Sequence, residues 1–297
     1  MNLAPIALFA YNRPEHLRAS LAALVSNPLA AESHLYLYSD GPKDDISAPL
    51  VESVRSIARK VEGFRAVTVV ERKGNIGLVA SITGEVKRLC AEFGRVIVLE
   101  DDLITAPFFL SYMNEALERF ENEARVMQVS GYMYPVPTHN GNRATFLPAT
   151  SCWGWGTWRR AWDAYDPTIR GFEELKADPA LRRAFNLDGY YDYVDLLSAH
   201  IAGRVNSWGA VWHLNVFLKG GLTVYPPVSL VSNIGFDGTG TNGQKSELGK
   251  MALNDTVKCI TWPARTEIDQ AAYLDVKNII RASKRGFRHW LRNLFPV

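Results

Sequence analysis

The chain has 297 residues, 47% of them hydrophobic and 22% charged, with a formal net charge of +2. This is an ordinary globular composition, sufficient for one large α/β domain or two small ones. Cys90, Cys152 and Cys259 are too scattered for a disulfide framework or a Cys-x-x-Cys metal site, no run of about 18 apolar residues offers a membrane span, and no secretory signal opens the chain, so a cytoplasmic location is expected.

Ile6-Ala7-Leu8-Phe9-Ala10 reads as a first strand. Asn12 is the expected N-cap of a helix with Pro14 in its first turn and Leu17, Leu21 and Leu24 as its apolar stripe. Leu35-Tyr36-Leu37-Tyr38 is the second strand and ends at Ser39-Asp40-Gly41; Ser47 then caps a helix whose expected apolar face is Leu50, Val54, Ile57 and Val61. Val67-Thr68-Val69-Val70 is the third strand, Leu78, Ile82, Val86 and Leu89 mark the next helix, and Val96-Ile97-Val98-Leu99 is a fourth strand buried on both faces. This alternation predicts βαβ units and a parallel sheet, which binds ligands at the carboxyl ends of its strands. Asn12-Arg13, Asp40, Arg72 to Gly77 and the triplet Glu100-Asp101-Asp102 all fall at those ends.

Three adjacent carboxylates repel one another unless a cation or a set of donors meets them. At a strand end their hard oxygens suit Mg²⁺ or Mn²⁺ bridging to substrate phosphates. A solvated acidic loop is the simpler reading, and the convergence of polar groups from four strand ends weighs against it.

Gly238-Thr-Gly-Thr-Asn-Gly243 matches a dinucleotide fingerprint in letters only, because it lies late in the chain with no helical stripe behind it. Gln244 also separates Gly243 from Lys245, which breaks the phosphate-binding loop pattern. Trp153, Trp155, Trp158 and Trp162 cluster within ten residues. Trp158 and Trp162, at helical spacing, read as core; Gly154 and Gly156 around Trp155 read as a loop that offers an aromatic face to a sugar ring.

Six of the 33 basic residues lie between Lys277 and Val297, where no acid occurs, so the rest of the chain carries a small acidic excess. That distribution does not fit a nucleic-acid binder. Phe287, Trp290, Leu291 and Leu294 share a helical face opposite Arg285, Arg288 and Arg292, which is either a C-terminal helix packed on the body or a peripheral membrane contact.

Val98-Leu-Glu-Asp-Asp-Leu-Ile-Thr-Ala-Pro-Phe-Phe-Leu-Ser-Tyr112 is similar to the Glu-Asp-Asp-Leu stretch of the N-acetylglucosaminyltransferases that extend protein-linked mannose. Cys152-Trp-Gly-Trp-Gly-Thr-Trp-Arg-Arg-Ala-Trp162 and Val228-Ser-Leu-Val-Ser-Asn-Ile-Gly235 resemble the bacterial relatives of those enzymes. The resemblance covers roughly residues 3–245. It implies a GT-A-like fold with a mostly parallel central sheet flanked by helices, the nucleotide-binding half over about 1–130 and a helical acceptor half over 131–275. A tail over 276–297 follows.

The implied activity is transfer of a sugar from a nucleotide-sugar donor, expected to be UDP-linked, to a hydroxyl of a glycan or lipid-linked glycan, with Mn²⁺ or Mg²⁺ as cofactor. On this resemblance Ala10, Tyr11, Asn12 and Arg13 line the nucleotide pocket, Asp40 accepts a hydrogen bond from base or ribose, and Asn75 and Gly77 lie beneath the nucleotide. Asp101 faces donor sugar or ribose, Asp102 ligates the metal, and Trp155 meets donor or acceptor. In extended backbone Glu100 and Asp102 point one way and Asp101 the other.

The related enzymes carry a general base near the segment aligned with Asn206-Ser-Trp-Gly-Ala-Val-Trp212, where this chain has no acid. Asp237, in a glycine-rich segment expected to close over the donor, is the first candidate base. His213, on an apolar helix, is the second and reads more readily as structural. The absent acid leaves a nucleotide-sugar-binding protein without catalysis as one alternative, and a nucleotidyltransferase as another.

Overall fold

The computed structural model describes residues 3–136, 141–238, 253 and 259–287, with side chains as far as Arg281. In the first half, β1 (Ile6–Ala10), α1 (Pro14–Val25), β2 (His34–Ser39), α2 (Ala48–Ala58), β3 (Ala66–Glu71), α3 (Leu78–Phe93) and β4 (Arg95–Glu100) follow the expected alternation. All of β1 is buried because it lies between β2 and β4, parallel to both. β3 pairs in parallel with β2 and is only half-buried, as an edge strand is.

The helices follow the expected stripes with two differences. Arg13, not Asn12, occupies the N-cap of α1. On α2 the buried positions are Val51, Val54 and Ala58, while Leu50 is 45% exposed. Ser47 precedes α2, but its hydroxyl accepts from the Lys43 and Asp44 amides, so it organises the preceding turn.

The second half continues with β5 (Leu103–Thr105), α4 (Phe109–Arg119), β6 (Val126–Ser130), β7 (Thr145–Leu147), β8 (Trp155–Trp158), α5 (Arg159–Trp162), α6 (Phe172–Ala177), α7 (Pro179–Phe185), α8 (Tyr193–Ile201), α9 (Trp208–Leu218), β9 (Leu222–Tyr225), β10 (Val231–Asn233) and α10 (Gln270–Phe287). The main sheet has eight strands in the order β3-β2-β1-β4-β8-β6-β9-β7. Only β7 and β8 run against the rest. β5 and β10 form a separate antiparallel pair. The expected α/β class with a mostly parallel central sheet is borne out. Residues 131–275 carry α5 to α9 and four of the ten strands, β7 to β10.

Trp155 corrects a sequence expectation. It lies in β8, 1% exposed, with its ring 5.2 Å from Trp208 and 5.6 Å from Trp162. Its neighbours are glycines because of packing: a Cβ on Gly156 would stand 3.0 Å from Val96 O, and one on Gly154 2.7 Å from the Val231 side chain. The face expected to meet a sugar is therefore closed by the core. Trp158 and Trp162 are buried as expected, although Trp158 ends β8 and is not part of α5.

α10 moves the expected boundary at 275/276. Ala272, Tyr273, Val276 and Ile280 are buried, and Lys277 Nζ lies 2.6 Å from Asp188 Oδ2 with the Tyr273 ring 4.2 Å away. The first turns of the expected tail thus belong to the body; residues 288–297 lie outside the described residues. Truncation after Asp275 is expected to destabilise the fold by about 3–6 kcal/mol, since each buried aliphatic side chain contributes about 1.5–3 kcal/mol. Truncation after Phe287 keeps those contacts. Denaturant unfolding compares the two forms, and equal midpoints would contradict the docking of α10.

Candidate active site

Four parallel strands end on one edge of the sheet and bring Tyr11–Arg13, Asp40, the loop 72–77 and the acidic turn together there. β4 stops at Glu100, and the chain turns at Asp101 and Asp102 before β5. The turn cancels the alternation expected of an extended strand: both aspartates reach the same guanidinium. Arg13 Nη2 lies 2.5 Å from Asp101 Oδ1 and 2.9 Å from Asp102 Oδ2. The Tyr11 amide donates to Asp101 Oδ2 at 3.3 Å, and Ser20 Oγ donates to the Asp101 carbonyl at 2.7 Å.

The electrostatics follow from this enclosure. Burial pushes the Glu100 carboxyl well above the ordinary range, and the charges of Asp102 and Asp101 push it further. Burial also pushes Asp101 up, against the pull of Arg13. For Arg13, burial alone opposes the charge, but the two carboxylates overcome it and keep the guanidinium protonated.

Asp40 has a different place from the one expected. Its Oδ1 accepts from the Gly41 and Ile76 amides at 2.9 and 3.0 Å, and its Oδ2 accepts from the Gly77 amide at 2.9 Å. Asn75 Nδ2 donates to the Gly41 carbonyl at 3.0 Å. Asp40 thus joins the loop after β2 to the loop after β3, with its carboxylate turned to backbone amides instead of a base or ribose. Gly77 has φ 80°, a backbone angle that glycine adopts without strain, so it lets the chain enter α3 from that loop.

The segment after β10 forms the opposite wall, and sequence reading missed its closest contacts. The Ile234 amide donates to the Asp102 carbonyl at 2.9 Å, and Asn233 Oδ1 accepts from the Gly235 amide at 2.7 Å. Gly235 covers the acidic turn so closely that a Cβ there would stand 2.2 Å from Asp102 Oδ2 and 3.0 Å from Arg13 Nη1. Asp237 follows, with Oδ2 3.2 Å from His16 Nε2 on α1. Asp237 thus meets α1, two residues beyond the Gly235 that covers Asp102. Of the glycine-rich segment, residues 239–243 lie outside the described residues.

The signal for Gly235 was present in its family-like stretch. His16 carried only its helical spacing from Arg13. His213 is buried on α9 between Phe185 and Tyr193, and burial lowers its imidazole to about 3, so it stays neutral and structural. Gly209 is buried in the same helix.

The acidic turn implies a divalent ion. Among the described residues no group of three or more His, Cys, Asp or Glu converges on one point. An all-protein cage does not fit. Asp102, however, gives only Oδ2 to Arg13; its Oδ1 takes no hydrogen bond among the described residues, and the side chain is 13% exposed. One open carboxylate oxygen fits an ion that completes its shell with ligand phosphates and water.

These features define a class by fold: a mostly parallel α/β sheet flanked by helices, with an acidic turn at its carboxyl edge. No family model matches the chain. It is similar to an α-1,3-mannosyl-glycoprotein 2-β-N-acetylglucosaminyltransferase of Arabidopsis thaliana, 24% identical over 186 residues, or 56% of this chain and 40% of that protein. The chain thus spans well under two thirds of that relative. That relative is an N-acetylglucosaminyltransferase, as the Glu-Asp-Asp-Leu resemblance expects.

Among solved structures it is similar to the mannosyltransferase PcManGT of Pyrobaculum calidifontis in complex with GDP-Man and Mn²⁺, at 11% identity and TM-score 0.38, covering 73% of this chain and 72% of that one. It is also similar to mouse xyloside xylosyltransferase 1, at 12% identity and TM-score 0.37, covering 73% and 80%. A third is S. aureus TarS, at 12% identity and TM-score 0.38, covering 74% and 35%. Among the described residues no helix is long and apolar enough to cross a membrane.

Proposed function

We propose that this protein is a glycosyltransferase that moves a sugar from a nucleotide-sugar donor, UDP-linked, to a hydroxyl of a glycan or lipid-linked glycan. The observation that carries the reading is the acidic turn at the end of β4, held by Arg13 beside the Asp40-pinned loop at the carboxyl edge of a parallel sheet. Ala10 to Arg13 and the loop of Asn75 and Gly77 bind the nucleotide, and Asp101 orients Arg13 toward the diphosphate. Asp102 would hold Mn²⁺ or Mg²⁺, which when bound supplies charge neutralisation for the departing diphosphate. Asp237 takes the proton of the acceptor hydroxyl as that oxygen attacks the anomeric carbon. The basic residues Arg281, Lys284, Arg285, Arg288 and Arg292 would give the enzyme a reversible contact with an anionic membrane surface, where a lipid-linked acceptor lies.

A donor screen tests the reading. UDP-, GDP-, TDP- and CMP-sugars are incubated with the protein and Mn²⁺, and the products are identified. Release of a nucleoside diphosphate is expected. Pyrophosphate release would favour a nucleotidyltransferase, and tight nucleotide-sugar binding without turnover, acceptors supplied, would favour a binding protein. Asp237→Asn is expected to lower turnover by about a hundredfold with little change in donor affinity, the usual scale for a lost general base. Undiminished turnover in that variant would remove Asp237 from the chemistry.

A further inference from the structure

His16 stands in the first turn of α1, three residues after the N-cap Arg13. Its side chain is only 12% exposed, and its Nε2 lies 3.2 Å from Asp237 Oδ2. The contact joins α1, which follows β1, to the turn that follows β10. The same two segments close on Asp102 from either side, through Arg13 and through Gly235. A carboxylate oxygen only accepts, so the imidazole nitrogen facing it must carry the proton.

We infer that His16 is a positioning residue for Asp237, an inference that rests on Asp237 being the general base. The Nε2–H of His16 donates to Oδ2 and restricts the rotation of the carboxylate that receives the acceptor's proton. In a single displacement the acceptor oxygen bonds to the anomeric carbon while the bond from that carbon to the diphosphate oxygen breaks. The bonding pair leaves with the diphosphate, and the hydroxyl proton moves to the Asp237 carboxylate. His16 keeps its own proton throughout. Its contribution is orientation: a buried donor on a helix narrows the rotamers open to a carboxylate on a turn.

The test uses the full chain and hydrolysis of UDP-N-acetylglucosamine with Mn²⁺, water standing in for the acceptor hydroxyl. His16→Ala is expected to lower kcat about tenfold with KM changed less than about twofold, and His16→Gln, which keeps a donor, to recover most of the loss. In an Asp237→Asn background His16→Ala should add little, because the two residues act as a unit.

Nitrogen-15 NMR of labelled histidine gives a readout independent of turnover. His16 should carry its proton on Nε2, and the signal should move in Asp237→Ala. A proton on Nδ1 alone, a signal that ignores Asp237→Ala, or fully additive losses in the double variant would overturn the inference. If Asp237→Asn is impaired and His16→Ala is not, the inference fails by itself. If Asp237→Asn turns over normally, the assignment of the base fails and this inference falls with it.

Discussion

Asp102→Asn is expected to lower divalent-ion-dependent donor turnover by about a hundredfold or more, the scale for losing a group that stabilises transition-state charge. The substitution keeps the volume of the side chain and an oxygen toward Arg13, while it removes the charge that an open carboxylate oxygen offers to an ion. Asp101 still pairs with Arg13 at 2.5 Å, so the fold retains its main counter-charge and the unfolding midpoint should change little. Initial rates with Mn²⁺ titrated against chelator separate the two effects. Full activity in the variant, or wild-type turnover persisting in excess chelator, would rule out an ion at Asp102.

Arg13→Met is the substitution expected to cost most in stability. Asp101 and Asp102 side chains are 4% and 13% exposed, and one guanidinium pairs with both. Breaking a buried pair by removing one partner costs about 3–5 kcal/mol, because the charge left behind is uncompensated. The pH dependence has a definite sign. Glu100 and Asp101 have folded-state pKa values raised by burial, so their contributions are fully present below the ordinary carboxylate range and are lost as pH rises through the raised values. Without Arg13 those values rise further. The gap between variant and wild type should therefore be small near about pH 4 and widest above about pH 7. A denaturant midpoint series across that range checks it, and a gap that is constant with pH would mean that Arg13 stabilises by packing alone.

Much of the first half was legible because its signals are local. Val96 to Leu99 reads as a doubly buried strand from four adjacent residues, and the stripes on α1 and α3 need no knowledge of what they pack against. β8 was misread because its glycines imitate a loop; only the approach of β4 and α4 shows that no side chain fits there. On the face expected for α2 only Leu50 turns outward, while Val54 is buried and Ile57 and Val61 pack against the core. Trp208 to Val216 on α9 is buried all round and carries no helical stripe, so nothing in its sequence points to one partner face.

By itself the sequence determined the βαβ rhythm, the edge on which polar strand ends gather and the acidic turn at the end of β4, since each depends on neighbouring residues only. Tertiary structure decided what those groups do to one another. Arg13 reaches carboxylates 88 and 89 positions away because β1 and β4 lie side by side, and Gly235 and Asp237 reach the same place because β10 returns to pair with β5. Asp40 turned from a candidate ligand contact into a loop anchor for the same reason: the amides it accepts arrive from a loop beyond β3, and a carboxylate's partners are set by which backbone folding brings within 3 Å.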